Sequence, residues 1–130
     1  MTNTFSMKTW EEAIVDGPEN GPRFVHAHAT FAYIGVIEGT SVGDSLLYYA
    51  GEGYDGGGNT APGLERITGS VDGRKGSFVI RHEVRYGSDG VHGTFTVVPG
   101  SATGELAGLS GSGTIAGASE TMDYTFEYTL

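Results

Sequence analysis

Residues 63–86, GLERITGSVDGRKGSFVIRHEVRY, decide the fold. Two strand-like runs, 63–71 and 74–86, flank Asp72-Gly73. Both central residues of a two-residue type I′ turn need positive φ, and Asp-Gly is one of the few pairs that accept it. The turn sets Val71 opposite Arg74, so partner numbers sum to a constant: Glu65 lies opposite Ile80 and Ile67 opposite Phe78. One face then gathers Glu65, Ile67, Val71, Phe78, Ile80 and His82. The other holds Arg66, Arg81, Glu83 and Arg85 and is the wet one. A glutamate and a histidine thus fall on the apolar, inward side as diagonal neighbours, with Cβ atoms roughly 7–8 Å apart. Burial of either alone is costly, so the two are expected to pair. In a semi-apolar cavity Glu65 and His82 are candidates for a general acid and base, because burial and mutual charge draw both proton affinities towards neutrality. The alternative is a tie between two strands across a filled interior.

The same period-two alternation runs outward in both directions, with almost no helical spacing. Residues 2–10 read as a first strand and 16–22, DGPENGP, as a turn. RFVHAHATFAYIGVIEG (23–39) reads as one long strand with Val25, Ala27, Ala29, Phe31, Tyr33 and Ile37 on one face, and His26, His28, Thr30 and Glu38 on the other. TSVGD is read as a connection to a strand at 45–51, and EGYDGGGNTAP (52–62) as a flexible loop. Strands at 90–98, 109–117 and 120–130 complete about eight, the last with Met122, Tyr124, Phe126, Tyr128 and Leu130 inward. Sequential antiparallel strands joined by short turns leave two exposed edges unless the sheet closes. The expected fold is all-β, a closed antiparallel barrel of one domain over residues 1–130, with an open two-sheet sandwich as the alternative. At about eight strands the interior is either just filled by side chains or holds one small ligand.

The chain is acidic, with 16 Asp and Glu against 7 Lys and Arg and a formal charge of -9. Such a surface repels phosphate backbones, so nucleic acid is not expected as a partner. The absence of cysteine removes disulfides, thiolate nucleophiles and sulfur-ligated zinc. The N-terminal residues lack a secretory pattern and no apolar run approaches the roughly 18 residues that span a bilayer, so the expectation is a cytoplasmic protein without a membrane partner.

Glycine stands at 23 of 130 residues, with only 4 prolines. The stretch VVPGSATGELAGLSGSGTI (97–115) poses the question of a phosphate loop. Such a loop needs a Lys-Ser/Thr after its last glycine or a strand-to-helix context. Neither exists, and no Lys or Arg occurs from Tyr86 to Leu130. Its glycines are read as barrel corners, with 103–108 a single tight turn capped by Thr103 and stopped by Gly108. The run GTFTVVPGSATGELAGLSGSGTI, preceded by GLERITGSVDGRKGSFVIRHE, resembles the bacterial domain-of-unknown-function family 3224 (DUF3224). The resemblance covers nearly the whole chain and is most specific from Gly63 to Gly113. It implies an eight-stranded barrel like that of allene oxide cyclase and dirigent proteins, often a homo-oligomer, and no established activity.

Three further motifs yield to plainer readings. GTSVG (39–43) has the spacing of a nucleophile elbow but is followed by a strand rather than a helix, so it is read as a turn. His26 and His28 have a spacing that metal sites use, with Glu38 or His92 as a third ligand, yet they lie opposite the apolar row and are expected to face solvent. Asp55 and Asn59 lack the carboxylate ladder of a calcium loop. No metal or cofactor is expected. Tyr33, Tyr48, Phe78, Phe95, Tyr124 and Phe126 are candidate walls of a ligand cavity. The expected function is the binding of an apolar small molecule. The alternatives are a cyclase or isomerase of the allene-oxide-cyclase type and a structural oligomer with a filled barrel, and interior volume separates them.

Overall fold

A computed structural model of the chain describes residues 3–19, 21–49, 59–87 and 90–130. Nine strands make up most of it: β1 (Thr4–Asp16), β2 (Arg23–Ile34), β3 (Ile37–Tyr49), β4 (Asn59–Val71), β5 (Arg74–Gly87), β6 (Gly90–Val97), β7 (Ser110–Gly117), β8 (Thr121–Tyr124) and β9 (Glu127–Thr129). They pair in the order β6-β5-β4-β3-β2-β1-β8-β7, and β7 returns to β6, so an antiparallel ring of eight strands closes. The ninth strand pairs with β7. Ring closure satisfies the backbone groups that a sheet edge leaves unpaired. Among the described residues no helix is long and apolar enough to cross a membrane.

The hairpin has the expected register: Val71 opposite Arg74, Ile67 opposite Phe78, Glu65 opposite Ile80. Asp72 (φ 49) and Gly73 (φ 85) both adopt the left-handed backbone that the turn demands. Elsewhere the sequence misleads in four places. Residues 23–39 form two strands rather than one, because the chain reverses at Gly35-Val36 and Ile37 opens β3. GTSVG is no turn but the middle of β3, which runs unbroken from Ile37 to Tyr49; its cross-strand bonds to both neighbours outweigh the weak local strand preference of Gly and Ser. Asn59–Pro62 belong to β4 rather than to a loop, while the rest of that stretch, Asp55 included, lies outside the described residues. The final run breaks between Tyr124 and Glu127 into β8 and β9, and Leu130 is exposed rather than inward.

The barrel is filled at one end and hollow at the other. At the hairpin end Ile37, Ile67, Val71, Phe78 and Ile80 are at most 1% exposed. A 3-10 turn, Gly104–Leu106, closes this end with the buried side chain of Leu106. Thr103 does not cap that turn; its hydroxyl lies 2.7 Å from that of Ser77 and so ties the plug to β5. The opposite end has a separate small cluster, Val25, Ala27, Leu47 and Tyr49. Between the clusters the inward rows of β2 and β3 carry small side chains in register, Ala27 beside Ser45 and Ala29 beside Gly43. Close packing needs volume from every wall. Here two walls supply almost none, and a cavity results.

Candidate functional site

The cavity measures about 560 Å³. Its walls are mainly apolar, including Phe5, Phe31, Leu47 and Val84, and no Lys or Arg is among the described residues that line it. Two of its lining residues are Glu65 and His82. Both are buried, at 4% and 8% exposure. They share the inward face because β4 and β5 place Gly63 opposite His82 and Glu65 opposite Ile80. Gly63 makes room for the imidazole: a Cβ there would stand 2.6 Å from His82 Cε1 and 2.4 Å from Ser45 Oγ.

Three strands bring side chains to the Glu65 carboxylate of β4. From β2, the Tyr33 hydroxyl donates to Oε2 at 2.5 Å; from β3, Ser41 Oγ donates to the same oxygen at 2.6 Å. The Tyr33 ring is fixed by stacking on Phe5 at 5.2 Å and by an edge contact with Tyr124 at 5.6 Å. Oε1 faces His82 Nε2 of β5 across 3.8 Å, too far for a hydrogen bond. His82 Nδ1 is buried and has no hydrogen-bond partner among the described residues. Burial disfavours charge on every member. It raises the Glu65 carboxyl above its usual range, although the Ser41 and Tyr33 hydroxyls pull it back. It lowers His82. Burial first, and then the neighbouring carboxylate, holds Tyr33 well above an ordinary phenol. Glu65 therefore holds its proton more tightly, and His82 less tightly, than either does in water.

Beyond Ser6, where pairing with β8 ends, β1 contributes Met7 and Trp10 to the cavity wall. Trp10 Nε1 donates to Glu12 Oε2 at 2.6 Å, and the Tyr49 hydroxyl donates to Glu12 Oε1 at 3.1 Å. The Arg23 guanidinium lies 4.7 Å from the centre of the Tyr49 ring, a cation–π distance.

The aromatic candidates divide. Tyr33 touches the carboxylate. Tyr48 does not face the cavity: it is 38% exposed and packs on Phe24 outside the barrel. In a strand starting at Ile37 the odd positions of β3 point inward, and reading the strand from Ser45 alone leaves the parity of the two tyrosines open. Phe78, Phe95 and Tyr124 sit in the packed half. Phe126 stacks between Phe78 and Tyr128. Tyr124 is a structural strut, its hydroxyl accepting from the Ile37 N–H at 2.9 Å and lying 3.1 Å from the Ile34 carbonyl.

His26 and His28 are on the outer face, where Asp44 Oδ1 lies 2.9 Å from His26 Nε2 and 2.8 Å from His28 Nδ1. Those bonds, that to His28 first, lower the Asp44 carboxyl. The residue they meet is Asp44, not Glu38 or His92. No group of three or more His, Asp or Glu among the described residues is arranged to hold a metal ion. The residues that sequence reasoning missed are Ser41 and the small inward row Ala27, Ala29, Gly43 and Ser45. The signal was there, since small side chains alternate along both strands, but its meaning depends on the two rows standing side by side.

The sequence profile of the family described as "Protein of unknown function (DUF3224)" matches residues 1–128. No curated protein matches the chain. A crystal structure of a protein of unknown function from the DUF3224 family of Shewanella oneidensis MR-1 superposes with a TM-score of 0.72. The two sequences are 24% identical, and the alignment covers 100% of this chain and 98% of that one. At that identity the likeness speaks to the fold.

Proposed function

We propose, from the premise that this chain belongs to the DUF3224 family of proteins of unknown function, that it binds an uncharged, largely apolar small molecule in the hollow half of its barrel. The observation that carries this is the cavity itself. Its volume of about 560 Å³ lies inside the range of ~300–1,000 Å³ typical of small-molecule sites. Apolar walls supply affinity through buried area, and the polar groups of Glu65 and His82 orient the ligand's one polar end. A charged ligand would enter without a lysine or arginine on the described lining to receive an anion and would lose its hydration. A purely structural barrel has no use for alanine at positions 27 and 29, which line the cavity and where larger side chains would fill space. A second reading, an isomerase, is supported by the placement of Glu65 and His82 on the cavity wall with Oε1 and Nε2 3.8 Å apart.

Titration with the neutral fluorophore N-phenyl-1-naphthylamine tests the binding reading. Saturable fluorescence enhancement at one probe per chain is expected, and its loss in Ala29→Phe, which fills the cavity from β2. Enhancement that never saturates, or that Ala29→Phe leaves unchanged, removes the cavity as the site.

A further inference from the structure

Resting on the cavity reading above, we propose that Glu65 and His82 catalyse proton transfer at the carbon beside a ligand's carbonyl group, so that the substrate class is an uncharged, enolisable ketone. The assignment of roles follows from which atoms are already occupied. Glu65 Oε2 accepts two hydrogen bonds, from Tyr33 and Ser41, which use its lone pairs. The proton of a neutral carboxylic acid therefore sits on Oε1. That oxygen receives no hydrogen bond from the described residues and stands 3.8 Å from His82 Nε2. The other imidazole nitrogen, Nδ1, is buried without a partner among the described residues, so any proton exchanged with a ligand passes through Nε2. Oε1 and Nε2 are too far apart to satisfy each other and close enough for one functional group to meet both.

A ketone with its oxygen at Oε1 presents its α-carbon to Nε2. His82 Nε2 takes the proton from that carbon. The electron pair of the broken C–H bond forms the C=C of the enol, and the carbonyl π pair moves onto oxygen, which takes the Oε1 proton. Glu65 is left as a carboxylate beside the new imidazolium, an ion pair already stabilised by the Tyr33 and Ser41 hydroxyls. Reversal returns the oxygen's proton to Glu65 and a proton from Nε2 to carbon. Return to the same carbon exchanges its hydrogen. Return to the γ-carbon of a β,γ-unsaturated ketone moves the double bond into conjugation. No oxidant, reductant or co-reactant enters, and apolar walls keep the enol from water. Glu65 and His82 are the catalytic residues; Tyr33 and Ser41 are positioning residues that fix which oxygen carries the proton.

The probe is 2-tetralone, a flat apolar ketone, in D2O with the full chain, its α-hydrogen exchange followed by NMR. Displacement of N-phenyl-1-naphthylamine measures its binding in the same samples. The wild-type chain is expected to exchange the α-hydrogens at least about 100-fold faster than His82→Gln at equal bound fraction, the lower bound of what a positioned acid–base group contributes. Glu65→Gln, which keeps a donor without a transferable proton, is expected to fall between. Far-ultraviolet circular dichroism checks that the variants fold. Ala29→Phe gives a second arm that leaves the pair intact: exchange should vanish because the ketone is excluded. If tetralone displaces the fluorophore from wild type and His82→Gln alike and both exchange at the same rate, the proton-transfer assignment is overturned while the cavity stands. If neither molecule binds saturably, the cavity reading falls and takes this inference with it.

Discussion

Glu65 is held by hydroxyls more than by its histidine. The Tyr33 and Ser41 bonds are 2.5 and 2.6 Å long, whereas His82 Nε2 is 3.8 Å away. Tyr33→Phe should therefore destabilise the fold by about 1–3 kcal/mol and by less than that in a Glu65→Gln background. Urea unfolding of the four members of this cycle measures the coupling, and strict additivity would show the short bond to be energetically idle. Acidity gives a second residue-scale prediction, in which the two groups act in opposite directions. The folded-state affinity of Glu65 for its proton exceeds the ordinary value of 4.5, so its contribution is whole below that pH and is lost as pH rises through the raised value. His82 binds its proton less tightly than the ordinary 6.5. Its contribution is whole above that pH and is lost as pH falls towards the lowered value, because the unfolded chain takes up the proton first. Urea midpoints measured from pH 4 to 8 should show Glu65→Gln gaining on the wild type as pH rises above about 5. His82→Gln should gain on it as pH falls below about 6. Parallel curves for wild type and both variants would mean that neither group titrates differently on folding.

Among the elements, the β4–β5 hairpin is fixed locally and β1 is fixed by its neighbours. Gly73 has φ 85 with open space around its missing side chain. Gly73→Ala should thus cost about 1 kcal/mol from backbone conformation alone and leave the cavity untouched, so that fluorophore affinity is unchanged. Gly63→Ala is the contrasting case. Its backbone is ordinary, but the added methyl meets the His82 ring and the Ser45 hydroxyl, so it should weaken both folding and binding. Equal binding in the two variants would count against His82 as part of the site. Beyond Ser6, β1 loses its β8 partner, and after one last bond from the Met7 N–H to the Glu120 carbonyl its ladder among the described residues is with β2 alone. Lys8, Glu11, Glu12 and Asp16 fall in that half, which is how an open edge is guarded against pairing with another chain.

For the whole molecule, the distribution of side-chain volume matters more than its sum. Filling the hollow half with Ala29→Phe should cost no stability, because it replaces empty space, while abolishing fluorophore binding; thermal unfolding with and without the probe reads both effects. The outside of β2 to β4 carries Phe24, Val42, Leu46, Tyr48 and Leu64, all 38–52% exposed. Cross-strand pairing makes neighbours of Phe24 and Tyr48 on this face. His26, His28, Asp44 and Arg66 interleave these side chains on the same face, a mixture of apolar and charged groups of the kind that a second copy covers in a homo-oligomer. Light scattering at micromolar concentration should return a mass above the 13.6 kDa of one chain, and Leu46→Glu should reduce it. A wild-type mass of one chain would refute the association.

What the sequence determined by itself was local. Alternation with period two gave the all-β class, and Asp72-Gly73 gave the hairpin register, since a two-residue turn leaves no freedom in the pairing that follows it. From that register came the inward placement of Glu65 and His82. Strand limits at Gly35, within 39–44 and at Thr125 were not legible, because pairing with distant strands, not residue preference, decides where a strand continues. Nor were the partners of Glu65: Tyr33 and Ser41 come from β2 and β3, and only the ring order brings their hydroxyls to one oxygen. The cavity belongs wholly to the tertiary structure. Alanines on one strand and glycine and serine on the next each look like ordinary inward positions; the β2–β3 register sets the two small rows side by side, and ring closure turns the space in front of them into a cavity.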